Sequence, residues 1–398
     1  MRYLNSMSRI LLVLLGISGT ARAHDVPALK EVFADAWQMG VALNEEIVRR
    51  GGEDLHRLAV RHFDTITPGN EMKWSVVHPE EGRLNFAPAD AIADFARQHG
   101  MSMTGHAFIW HTMVGDWVFE NADGTPASRE VVLARLREHM AALIERYGDV
   151  VTGWDVVNEV ISEEPGEYLR DTAWRRALGD DYVAETFKLA AQLAPDAKLY
   201  YNDYSLDKPE KRGKAVRLVK DLLDRGIRVD AVGMQCHHDL GYPTAENVAQ
   251  SIEAFAELGV KVHISEMDLS LYAYQDHEDR YRDGAPRSVL NEQAARYAEL
   301  FRVFLAHRDA IDRVAFWGIH DGYSWRNYTP VPDRPDYPLL FDADCEPKPA
   351  YYAILREGKK ALNVTSMIGR RQGAEQAVCP CCPGKPWRCS RNVVLQAG

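Results

Sequence analysis

Eight short apolar runs, separated by longer amphipathic stretches, limit what this chain can fold into. They cover 39–43, 65–67, 102–110, 153–158, 198–202, 231–235, 261–265 and 313–318. Valine, isoleucine and aromatic residues dominate them. They do not alternate polar with apolar, as expected of parallel strands buried on both faces. Between them apolar residues recur at helical spacing: Leu55, Leu58, Ala59 and Phe63; Val248, Ile252, Phe255 and Ala256; Ala294, Tyr297, Ala298, Phe301 and Leu305. Gly100 and Gly259 follow two helical patterns, where a left-handed residue ends a helix most cheaply. Eight strand–helix units in strict alternation predict an α/β fold, a (β/α)8 TIM barrel built as a single domain.

The ends of the chain read differently. Residues 1–23 have the form of a signal peptide: Arg2 and Arg9 precede an apolar stretch from Ile10 to Ile17, and Ala21-Arg22-Ala23 fits a small-x-small cleavage site. That stretch is too short to span a bilayer, and no other run is long enough. The chain is therefore expected to be secreted or periplasmic, with the barrel over 24–365. Removing the signal removes three arginines and no acids, which takes the net charge from −11 to about −14. Such a charge argues against nucleic acid and tolerates a neutral sugar polymer. A monomer is expected.

Periodicity stops after Leu362, and residues 366–398 read as a disordered, basic tail. Four of the six cysteines crowd there: Cys379, Cys381, Cys382 and Cys389. Their spacing matches no common zinc pattern and leaves disulfides or a loose metal knuckle open. Cys236 and Cys345, in the main body, could be free or paired.

The polar residues fall in a pattern. Asn70 and Lys73 follow the second run. His106, Trp110 and His111 lie on and just beyond the third. Asn158 and Glu159 end the fourth, and Asn202, Asp203 and Tyr204 follow the fifth. Gln235 and His237 end the sixth, Glu266 and Asp268 the seventh. Trp317 ends the eighth, with Trp325 in the loop after it. In a barrel all these ends meet at one rim, where such folds hold their active sites.

Glu159 and Glu266 would face each other across that rim. Glycoside hydrolysis needs such a pair: one carboxylic acid protonates the leaving oxygen while a carboxylate attacks the anomeric carbon or activates a water. Tryptophan and tyrosine faces suit sugar rings, and Asn, Gln, His and Lys suit hydroxyls. Either glutamate alone reads equally well as a loop residue or ion-pair partner. A lone tryptophan is usually core. His106 with His111 lacks a third ligand for zinc. The weight lies in the joint placement. No metal or other cofactor is expected.

At these residues the chain resembles glycoside hydrolase family 10, the endo-β-1,4-xylanases, over roughly 29–362. The shared motifs are Asn70-Glu71-Met72-Lys73-Trp74, Gly105-His106 with Trp110-His111, Trp154-Asp155-Val156-Val157-Asn158-Glu159 and Asn202-Asp203-Tyr204. Gln235-Cys236-His237, Ser265-Glu266-Met267-Asp268, Trp317-Gly318 with Ser324-Trp325, and Pro338-Leu339-Leu340-Phe341-Asp342 complete them. The resemblance implies retaining hydrolysis of xylan and xylo-oligosaccharides, with Glu159 as acid/base and Glu266 as nucleophile. It implies that Asn158 bonds the sugar 2-hydroxyl in subsite −1, and that His237 and Asp268 hold the nucleophile ionised. Lys73, His106, Trp110, Gln235, Trp317 and Trp325 would wall subsite −1, Asn70 would touch −2, and Tyr204 would form a +1 platform.

An acid catalyst also needs its pKa raised, by burial and by the opposing carboxylate. That is expected of Glu159. Two positions depart from the family pattern. Gly69 stands where glutamate is frequent and Met113 where glutamine is frequent, so a weakened or reshaped −2 subsite is expected. A barrel glycosidase acting on another β-1,4-glycan, and a sugar-binding barrel without catalysis, are the alternatives. The intact acids and Asn158 disfavour the second.

Overall fold

The computed structural model describes residues 26–361; the expected signal segment and the cysteine-rich tail lie outside them. Nine strands are described: β1 (Gln38–Leu43), β2 (Thr65–Pro68), β3 (Ser102–Ile109), β4 (Val151–Asn158), β5 (Lys198–Asp203), β6 (Ala231–Met234), β7 (His237–Asp239), β8 (Lys261–Ser270) and β9 (Ile311–Phe316). β1 to β6 pair in chain order, β6 pairs with β8, β8 with β9, and β9 with β1, closing an eight-stranded barrel. Every pairing is parallel. The (β/α)8 barrel expected from the alternation is the observed architecture. β7 is the ninth strand, a short ribbon on the far end of β8 with His237 opposite Asp268.

Parallel strands need crossovers, and each step between barrel strands carries at least one helix. Local chemistry sets their ends. Asn44 caps helix Glu45–Arg50 by accepting from the Ile47 N–H at 2.8 Å, and Thr172 and Thr244 cap theirs in the same way. A proline in the first turn opens Ala87–Gln98 and Pro209–Asp224, where its missing N–H is not needed. Gly100 and Gly259 have φ of 64° and 82° just past their helices, a conformation that costs an L side chain about 1 kcal/mol or more.

The strands are buried almost throughout; all four residues of β2 and nine of ten in β8 are inside. Trp154 of β4 stacks on Phe108 of β3, with ring centroids 4.4 Å apart. Its ring lies against Gly105, where a Cβ would fall 2.0 Å from a ring carbon, so this position admits only glycine. Phe33, Trp37 and Phe301 cluster in the shell around the barrel. A closing helix over 349–361 brings Gly358 against Val32 and Phe33, and the Tyr351 hydroxyl donates to the Pro27 carbonyl.

Seven of the eight expected strands agree with the observed ones to within about two residues. The seventh run was expected to stop at Ser265, but β8 continues to Ser270. Glu266 and Asp268 therefore lie inside a strand rather than past its end. Polar residues interrupt the apolar run there, which hides the continuation. The β8–β9 register shifts between Ile264 and Met267, an irregularity of the kind that re-aims a side chain.

Candidate active site

The C-terminal ends of the barrel strands open into one cleft of about 820 Å3. Eleven of the expected residues line it: Lys73, His106, Trp110, Asn158, Glu159, Tyr204, Gln235, His237, Glu266, Trp317 and Trp325. Two do not. Asp268 is fully buried beneath the floor. Asn70 stands outside on an exposed turn and accepts from the Lys73 ammonium at 2.9 Å.

Glu159 directly follows β4 with φ at 59°, a left-handed backbone that a non-glycine residue adopts only under constraint. Its N–H donates to the Asn202 carbonyl at 2.9 Å, and its carbonyl accepts from Arg170 Nε at 3.1 Å. The side chain is 15 % exposed. Oε2 accepts from Trp110 Nε1 at 2.8 Å, and Oε1 from Gln235 Nε2 at 3.1 Å. Trp110 is itself fixed by Trp174, which donates to its carbonyl at 3.0 Å. His111 Nδ1 lies 3.9 Å from Oε2.

The expected upward shift at Glu159 is not what the open cleft shows. Burial pushes its pKa up, but the Trp110 and Gln235 donors and the His111 and Lys211 charges together hold it below the usual glutamate value. The donors that orient the carboxylate also favour its charged form.

Glu266 is more enclosed, at 6 % exposure. Asn202 Nδ2 donates to its Oε1 at 2.7 Å and His237 Nε2 reaches its Oε2 at 3.2 Å. The other His237 nitrogen faces Asp268 Oδ2 at 2.9 Å. Both ring nitrogens thus point at carboxylates, and only the doubly protonated ring can donate to both. Burial pushes the His237 pKa down, but Asp268 and Glu266 overcome it and raise it to about 9. Asp268 in turn accepts from Trp325 Nε1 at 2.7 Å and pairs with Arg326 Nη2 at 3.0 Å. Burial opposes its ionisation, yet Arg326 and His237 hold its pKa far below the carboxylate range.

A chain of amides joins the two glutamates. Ser265 Oγ donates to Asn202 Oδ1 at 2.6 Å, which turns Nδ2 of Asn202 toward Glu266 and toward Asn158 Oδ1, 2.9 Å away. Asn158 Nδ2 reaches Glu159 Oε1 at 3.3 Å. Asn202 fits only because residue 233 is glycine; a Cβ there would lie 2.1 Å from Asn202 Oδ1.

The walls are aromatic and cationic. Lys73 Nζ sits 4.3 Å from the centre of the Trp110 ring, an attractive cation–π placement. Burial lowers the pKa of this ammonium, against the pull of Glu266 and Glu159. His106 is tied to Asp155 at 2.8 Å and meets the Trp317 ring at 5.4 Å. Sequence reading assigned no part to Arg326, Arg170, Tyr242 or Tyr274, all near this cleft or on it. Arg326 adjoins Trp325, which is the one signal that pointed to it. Among the described residues Cys236 and Cys345 are free thiols. No group of three or more potential ligands that could hold a metal ion occurs among the described residues.

Two carboxyl groups in one cleft at the C-terminal rim, walled by tryptophans and amides, mark a barrel glycoside hydrolase. Residues 28–357 match the profile described as glycosyl hydrolase family 10. Endo-1,4-beta-xylanase A of Caldicellulosiruptor saccharolyticus is 40% identical over 331 residues, covering 83% of this chain and 95% of that protein. Endo-1,4-beta-xylanase of Geobacillus stearothermophilus is 39% identical over 333 residues, covering 83% and 98%. Among solved structures, a mutant protein in complex with xylotriose superposes with a TM-score of 0.80 at 36% identity, covering 83% of this chain and 99% of that one. The chain belongs to glycosyl hydrolase family 10.

Proposed function

We propose that this chain is an exported endo-1,4-β-xylanase that cleaves internal β-1,4-xylosidic bonds by double displacement, with retention of configuration. The observation that carries the reading is the unequal setting of two glutamates in one cleft, on a chain whose relatives are named endo-1,4-β-xylanases. Glu266, held on both oxygens by Asn202 and His237, is the nucleophile. Glu159, nearer the open side, is the acid/base. Asn158 lies between them, placed to meet the 2-hydroxyl of the sugar under attack. Lys73, His106, Gln235 and the tryptophans Trp110, Trp317 and Trp325 would hold that sugar, Asn70 the next one, and Tyr204 the leaving-group side.

Occupation of the cleft resolves the pKa of Glu159. Burial is already the largest single influence on this carboxyl, and it favours the neutral acid. A sugar that excludes the remaining water strengthens that influence and arms the residue as it binds. After attack, the charge on Glu266 is spent on the glycosyl bond, and Glu159 takes a proton from water as base.

Residues 1–23 support export, with secretion or a periplasmic location to follow. Among the described residues no helix is long and apolar enough to cross a membrane. The chain is proposed to act as a monomer on a neutral polymer, without a cofactor. Reducing-sugar release from xylan, cellulose and mannan tests the activity. Xylan alone should be cut efficiently; preference for cellulose or mannan would assign another glycan, and no release from any of the three would leave a binding protein. Sequencing the N-terminus of the exported protein should read from His24.

A further inference from the structure

We propose that Arg170 is a positioning residue that locks the carboxylate-bearing backbone of Glu159 to the Tyr204 wall, so that occupancy of the leaving-group side and aim of the acid are set by one guanidinium. The proposal rests on the reading of Glu159 as acid/base.

Arg170 lies in the loop that follows β4. That loop doubles back: Ile161 bridges Leu169, and the Arg170 N–H donates to the Val160 carbonyl at 2.8 Å. The fold-back brings the guanidinium over the first residue beyond the strand. Nε donates to the Glu159 carbonyl at 3.1 Å, while Nη2 donates to the Tyr204 hydroxyl at 2.8 Å. A planar fork makes two such bonds in one fixed geometry, which an ammonium cannot do.

The Glu159 carbonyl needs a holder. With φ at 59° the residue sits outside the region its neighbours favour, so its conformation persists only while outside contacts enforce it. Its N–H is held by β5 and its carbonyl by Arg170. Tyr204 needs one too. It follows β5, its N–H donates to Asp203 Oδ1 at 2.9 Å, and Lys211 Nζ lies 3.2 Å from the ring centre. Its hydroxyl meets the β4 loop, where Arg170 donates to it and the Glu163 carboxylate accepts from it. Asp203, Lys211 and Tyr201 form a buried anchor beneath Tyr204, joined to the same loop through the Ile161 N–H. Removing Arg170 therefore frees the Glu159 carbonyl and leaves the Tyr204 hydroxyl to Glu163 alone, with the anchor below still in place.

An acid that swings out of line loses protonation of the leaving oxygen but not attack on the anomeric carbon. The deficit should scale with how badly the leaving group needs a proton. General acid catalysis is typically worth about 10²–10⁴-fold, and a misplacement near 1 Å can cost about 10²-fold.

The test compares Arg170→Lys and Arg170→Met with the parent on xylan and on aryl xylobiosides of graded leaving-group pKa. On xylan kcat/KM should fall on the order of 10–100-fold. On the most acidic phenol it should fall less than about threefold, because departure there needs no proton. The leaving-group dependence should steepen in both variants. In a double-mutant cycle, Tyr204→Phe with Arg170→Met should cost less than the sum of the single changes. An equal loss on every substrate, or additive losses in the cycle, overturns the proposal. Azide rescue of Glu159→Ala on the acidic aryl substrate, run alongside, separates the two ideas. If rescue fails, the acid/base assignment falls; if rescue holds and the Arg170 variants keep the parental slope, only the positioning role falls. Thermal melting of both variants identifies a folding defect, and Arg170→Lys, which keeps the charge, serves if Arg170→Met unfolds.

Discussion

Asp268→Asn should strip the charge from His237. In the native cleft both His237 nitrogens face carboxylates, and the ring pKa is raised to about 9. Relative to an ordinary histidine near 6.5 that is about 2.5 units, or on the order of 3 kcal/mol of preference for the charged ring. Burial works against that charge, and Asp268 is its largest support. An amide at 268 keeps the shape and can still accept from Trp325, but it removes the charge. The His237 pKa should then drop by at least about one unit. Arg326, 5 % exposed and paired with Asp268 at 3.0 Å, would be left buried without its counter-charge, which typically costs about 3–5 kcal/mol.

The sign of the pH effect is fixed by the direction of the shift. A histidine raised in the native state adds stability that is whole below its unfolded pKa of about 6.5. That stability is lost as pH climbs through about 9. The parent should therefore lose on the order of 3 kcal/mol of unfolding free energy across that window from this group, and Asp268→Asn should lack that slope. NMR titration of the His237 ring, with urea unfolding at several pH values, measures both. A parental His237 midpoint at or below 6.5, or a midpoint unmoved by the substitution, refutes the charged-ring argument.

Three further outcomes follow from the geometry. Gly233→Ala should drive a methyl against Asn202 Oδ1, pull its amide from Glu266 and reduce kcat on xylan at least about tenfold. The alkaline limb of kcat, which reports the substrate complex, should lie above that of kcat/KM, which reports the free enzyme, because Glu159 is held low in the open cleft and desolvated in the filled one; coincident limbs would contradict this. Gly69→Glu should fold normally, since a Cβ there meets only the Leu43 carbonyl at 3.8 Å, and together with Met113→Gln should tighten binding of linear xylo-oligosaccharides measured by calorimetry.

Much of this molecule was legible in its residues. Strands buried on both faces cannot hide: their unbroken valine, isoleucine and aromatic content located all eight barrel strands. The same logic placed eleven of the expected site residues in one cleft, because a parallel barrel brings the ends of all its strands to one rim. What stayed hidden was held by contacts remote in sequence. β8 runs through Glu266 and Asp268, whose charges break the apolar pattern although Arg326 and His237 neutralise them. The lowered pKa of Glu159 depends on Trp110 and Gln235, just past β3 and β6, whose reach to this carboxylate no local motif reports. Arg170 reads as an ordinary loop arginine until the fold-back places it beside the Glu159 carbonyl.

The most direct test is the identity of the carboxylate that bonds to sugar. A slow, fluorinated xylobioside with an activated leaving group should trap one glycosyl unit per chain, and peptide mass spectrometry should find it on Glu266 and nowhere in Glu266→Gln. A label on Glu159, or turnover to the inverted anomer with no trapped species, would contradict double displacement between these two glutamates.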